Sequence, residues 1–151
     1  MNVRLNRNEL EELRDAKYSR NFYRLESSTH VEHEFRHPHF GHPSTYAFVR
    51  FACDPADDLS FEGRASWPST VSADYRLELE RAIAEAVADV LLEGLYQHTG
   101  CAVTLIEIRY DEICSSVASF MWAAKSAMQE LLTRQWKVVI RNKEASDSSL
   151  A

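Results

Sequence analysis

Cysteine is scarce in this chain: Cys53, Cys101 and Cys114 make an odd count with no paired spacing, which argues against a disulfide framework. Each reads as a small hydrophobe of the core. No secretory signal and no apolar run of about eighteen residues opens the chain, so a reducing, cytoplasmic setting without membrane contact is expected. Positive charge is also in deficit. Against 23 Asp and Glu stand 17 Lys and Arg, a net charge of -6, so no global positive field gathers nucleic acid by counterion release. Any RNA contact must be local. No G-x-x-x-x-G-K-[ST] phosphate loop occurs, which excludes nucleotide hydrolysis of that type. No nucleophile and base stand in a recognisable arrangement, so the chain reads as a non-enzyme that needs no cofactor.

What is present suffices for one core: 45% of the residues are hydrophobic and 11% aromatic over a length of 151. The most organised stretch runs from Gly100 to Gln135. Val103 to Tyr110 alternates as a strand, with Ile106, Ile108 and Tyr110 on one face and Glu107 and Arg109 on the other. Ser115 or Ser116 can then cap a helix, because a serine oxygen accepts a bond from a free first-turn amide. Val117, Phe120, Met121, Ala124, Ala127, Met128, Leu131 and Leu132 recur along that helix at three- and four-residue steps, a stripe that must be buried. A second helix follows Ser72 or Asp74 and carries Tyr75, Leu79, Ile83, Val87 and Val90 on one face. Its outer side bears Glu78, Glu85, Asp89 and Glu93, an acidic ridge that repels phosphate.

Tyr46 to Cys53 and Leu59 to Ser66 read as an antiparallel pair of strands around the turn Asp54-Pro55-Ala56-Asp57-Asp58. Trp136 to Arg141 reads as a closing strand. Residues 1–28 read as a helical arm, 29–141 as the domain and 142–151 as a polar tail. Within the arm, Arg14, Lys17, Arg20 and Arg24 form a basic cluster among aromatic side chains, a candidate RNA or partner contact. From His30 to His42 lie His30, His33, His37, His39 and His42 beside Glu32 and Glu34. Imidazoles flanked by carboxylates suit zinc or nickel, with His33, His37 and His39 on one face if the segment is extended. The spacing misses the helical i, i+4 pair, and a polar partner-contact loop is the competing reading.

From His33 onward the residues resemble domain IV of the ribosomal translocase elongation factor G and its ribosome-protection relatives. The resemblance rests on the extended segment before Tyr46 to Cys53, the acidic proline-bearing turn, Phe61 to Gly63 and the helix entered by Asp74-Tyr75. It is sharpest where Ser115-Ser116, Phe120, Ala123-Ala124, Ala127 and Glu130 follow a hydrophobic strand. It covers roughly residues 33 to 135. The fold it implies is an α+β two-layer sandwich, two helices on one face of a mixed four-stranded sheet, with a left-handed strand-helix-strand crossover. The function it implies is that of a stand-alone, non-catalytic domain acting as a protein-interaction adaptor, with ribosome or RNA binding as the alternative; the histidine segment by itself adds metal binding as a further one. A protein partner or the ribosome and homo-oligomers are compatible with it; generic nucleic-acid binding is not expected. The turn matching the family's ribosome-entering tip, Tyr110, Asp111 and Glu112 through Cys114, is short, acidic and without histidine. Arg36 and Arg50 are candidate contacts, joined by Arg64 and Arg109 if all gather on one side.

Overall fold

A computed structural model describes residues 4, 6–10, 21–39, 42–94 and 96–140. The elements run β1 (Asn21–Leu25), β2 (Thr29–His39), β3 (His42–Pro55), β4 (Ser60–Gly63), α1 (Ala73–Leu91), β5 (Gln97–Arg109), α2 (Val117–Leu132) and β6 (Trp136–Ile140). A helical turn at 7–10 precedes them. Asn6 caps it by accepting the Glu9 amide at 2.8 Å.

The architecture is α+β, but the sheet is mixed and six-stranded, in the order β2-β3-β5-β1-β6 with β4 also on β5. The expected four-stranded sheet is therefore too small, and the excess has two sources. Asn21–Leu25, inside the segment read as an arm, pairs parallel with β5 and antiparallel with β6, and it buries Phe22 and Leu25. The histidine segment, read as a polar loop, is the strand β2, in register with β3 from Thr29↔Cys53 to His37↔Thr45. Its alternation of Val31, His33 and Phe35 with Glu32, Glu34 and Arg36 is masked in the sequence because a sheet edge with one open face needs few apolar residues. The antiparallel pairing expected between Tyr46–Cys53 and Leu59–Ser66 does not form. β5 takes β3 antiparallel and β4 parallel, so both strands join through it instead of to each other.

β5 is longer than its apolar run, since Gln97 to Gly100 is already strand and carries the β1 pairing. Strict alternation also fails further along. A register shift between Arg50 and Phe51 sets Leu105 and Ile108 both in the core and leaves Ile106 half-buried, as one extra residue in a bulge requires.

Both helices begin at serine caps. Ser72 accepts the Tyr75 amide at 3.1 Å, and Ser116 and Ser119 form a reciprocal capping box. The helices pack on each other and share one core with the sheet, so they lie on one side of it. Ile83, Val87, Phe120, Ala124 and Met128, expected in that core, are all buried there. The other face of β2, β3, β5 and β4 carries no helix among the described residues.

Candidate functional site

The uncovered sheet face gathers the arginines that the sequence had left scattered. In the register Glu32↔Arg50↔Glu107, the Arg50 guanidinium lies between two carboxylates, at 2.6 Å from Glu32 and 3.1 Å from Glu107. The hydrogen bond to Glu32 and its charge raise the Arg50 pKa above the ordinary value. Arg36 sits 3.5 Å from Glu34 with its guanidinium 4.8 Å over the Tyr46 ring. Arg109 lies 4.3 Å over the Phe48 ring and 3.9 Å from Glu107, and Arg64 pairs with Glu62 at 3.0 Å. Every arginine of the face thus has an acidic neighbour. Sequence reasoning named the arginines and missed these partners. Their signal is the i, i+2 alternation in Glu32-x-Glu34-x-Arg36, Glu62-x-Arg64 and Glu107-x-Arg109, legible only once the segments are known as strands.

One end of this sheet forms a tip. β4 and β5 run parallel, so the connections after them, toward α1 and α2, leave from the same end, where β3 begins. The Asp111 side chain accepts the amides of Ile113 and Cys114, both at 2.9 Å, and those two bonds, Cys114 first, hold its carboxyl below the usual range. Ser115 Oγ donates to the Tyr46 carbonyl at 2.7 Å, and the Tyr46 amide donates to the Cys114 carbonyl at 3.0 Å, tying the turn to β3. Tyr110 stacks on Phe120 with ring centroids 6.3 Å apart, whereas Glu112 and Ile113 are exposed to solvent.

The second tip connection is locked by Glu80. Its carboxylate accepts from Trp67 Nε1 at 2.9 Å and Arg76 Nε at 3.0 Å, beneath Gly63, where a Cβ would come 2.9 Å from Glu80 Oε2. The Trp67 ring then rests 5.3 Å from that of Phe120, which joins the two connections through one aromatic side chain.

The remaining candidates are dispersed. Arg24 pairs with Asp57 at 3.3 Å, near the opposite end of β5, while Arg14, Lys17 and Arg20 lie outside the described residues. His33 and His37 share a face of β2, His30 lies on the other face, and the side chains of His39 and His42 fall outside the description. Among the described residues no three His, Cys, Asp or Glu side chains converge as metal ligands. A polar groove of about 940 Å³ follows the β2 edge, lined by His30, His33, Ile106, Gln129, Glu130 and Arg134 among others. At the start of β5, His98 lies among aromatic rings, stacked on Tyr23 at 4.6 Å and edge-on to Trp136 at 4.7 Å. Burial lowers the His98 pKa. No described helix is long and apolar enough to cross a membrane.

No family model and no curated protein matches the sequence. The fold is similar to the crystal structure of ttk003000868 from Thermus thermophilus, with a TM-score of 0.61 and 21% identity over 79% of this chain. The chain spans 18% of that protein's length, so the likeness is one of fold, to a portion of a larger molecule.

Proposed function

We propose that this chain is a non-catalytic domain of the translocase domain IV type, left-handed crossover included, that acts as a protein-interaction adaptor. The observation that carries the adaptor part is the open sheet face. Arginines lying over Phe48 and Tyr46, each with a glutamate beside it, present flat, polar, charge-balanced surface. Such a surface suits a protein partner, since aromatic and guanidinium planes supply contact area while the glutamates cancel the field that would draw phosphate. The acidic tip at Asp111 and Glu112 points the same way. An affinity pull-down with this protein, scored for ribosomal proteins against all others, tests the reading. Recovery of ribosomal subunits through RNA, abolished by nuclease, would replace it.

A second reading, contact with ribosomal RNA as a modulator of translation, draws on the gathering of Arg36, Arg50, Arg64 and Arg109 on that face. Here the expected result is weak binding to generic RNA that disappears as salt rises to physiological strength. Tight binding to ribosomal RNA that persists at physiological salt would favour this second reading. Metal binding through His33, His37 and His39 is separated from both by metal analysis of the tag-free protein. Stoichiometric zinc or nickel that survives dialysis and is lost on His37→Ala with His39→Ala would establish it.

A further inference from the structure

β2 is a terminal strand of the sheet, paired on one side with β3 and, among the described residues, with no strand on the other. Such an edge is a template for another strand unless its side chains forbid the pairing. With the axis anywhere between Glu32 and Arg36, the charges of β2 oppose every antiparallel self-pairing but one. From the structure we infer that two copies of this chain associate edge to edge through β2, antiparallel, about a two-fold axis passing through Phe35.

A two-fold axis normal to the sheet makes the two β2 strands antiparallel and keeps each face continuous, so a residue meets one of its own face. The open face of β2 bears Glu32, Glu34 and Arg36 in succession. Centring the axis on Glu32 or Glu34 sets a carboxylate against its own copy. On His33 it sets Glu32 against Glu34 twice, and on Arg36 guanidinium against guanidinium. On Phe35 it sets Glu34 against Arg36 on both sides of the axis and opposes no like charges. Glu34 and Arg36 are available for this, being exposed at 45% and 62% and only 3.5 Å apart within one chain. On the other face the same register places Phe35, which packs on the edge of the core, against its copy, flanked by His33 opposite His37. The pairing of β2 with β3 is irregular between His37 and His39, around Pro38, so the regular part of the edge is short.

Because the interface is small, association falls on the order of 10 to 100 µM. Sedimentation velocity over that range, on the full chain, should show a reversible dimer. Glu34→Arg alone or Arg36→Glu alone places like charges opposite each other on both sides of the axis and should weaken association roughly tenfold or more, with an unchanged circular dichroism spectrum. The decisive arm mixes the two single variants. Each chain then carries one sign on both positions, both cross-strand pairs become Arg opposite Glu, and a heterodimer of near wild-type affinity should form. A wild-type protein that stays monomeric throughout the range overturns the inference. So does a dimer indifferent to both single reversals, which would place the contact elsewhere, or a mixture that associates no better than its components.

Discussion

Among the described glycines, Gly100 is the one at which an added methyl group meets the closest backbone. It sits where β1 runs beside β5 in the pairing Arg24↔Gly100, and a Cβ there would lie 2.5 Å from the Arg24 Cα and 2.7 Å from its Cβ. The obstacle is backbone, so no side-chain rotation relieves it, and the strands must separate by roughly an ångström. β5 is held from retreating because the Gly100 carbonyl accepts the Ala56 amide at 3.3 Å, so β1 must give way. Overpacking of this kind costs about 1 to 3 kcal/mol. If β1 lifts off, Phe22 and Leu25, now 6% and 2% exposed, each lose up to about 2 kcal/mol of burial. Alanine returns roughly 0.4 to 1 kcal/mol by restricting the unfolded chain. The net expectation for Gly100→Ala is a loss of about 2 to 4 kcal/mol, read by urea unfolding. The accompanying fall in melting temperature is roughly 5 to 15 °C. Hydrogen exchange should quicken at the β1 and β6 amides before those of β3. Gly63→Ala is the control, because its Cβ meets only the mobile Glu80 carboxylate and costs about 1 to 2 kcal/mol through weakened bonds to Trp67 and Arg76. A Gly100→Ala loss below that of Gly63→Ala, or β1 amides as protected as before, would refute the reasoning.

Ala124→Glu buries an unpaired charge in the fully enclosed face of α2 and should destabilise by about 3 to 5 kcal/mol; an unchanged melting point would mean that face is exposed. Ser116→Ala removes half of the capping box and should cost about 1 kcal/mol by denaturant unfolding. Stability should fall as pH drops below the ordinary histidine pKa of about 6.5, because burial depresses the His98 pKa and the unfolded chain then takes up a proton that the folded one refuses. His98→Phe should flatten that part of the stability profile, and a profile of unchanged slope would assign it to another group. Asp111→Asn should speed exchange at the Ile113 and Cys114 amides that its carboxylate now accepts, with little change in global stability.

Much of the helical layer was legible without coordinates. The stripe from Val117 to Leu132 and that from Tyr75 to Val90 name their own buried faces, and Ser72 and Ser116 name their own starts, because both signals act within one or two turns of chain. Strand membership was harder. β1 is only five residues among basic neighbours, and β2 carries its polar alternation on a sheet edge, so neither concentrates enough apolar character to announce itself. The partner of a strand is a long-range fact. The Asp54 to Asp58 turn suggested a hairpin with what followed, but β5, arriving only after the whole of α1, captured both neighbours. The candidate surface divides the same way. Arginine positions were visible one by one, whereas their gathering on one face, and the glutamate that stands beside each, depend on the register of β2, β3, β4 and β5. Helices, caps and buried stripes are written in the local chain, since they depend on neighbours a few residues apart. The size of the sheet, the charge balance of its open face and the edge that β2 presents emerge on folding, because cross-strand pairing joins residues that nothing in the local chain connects.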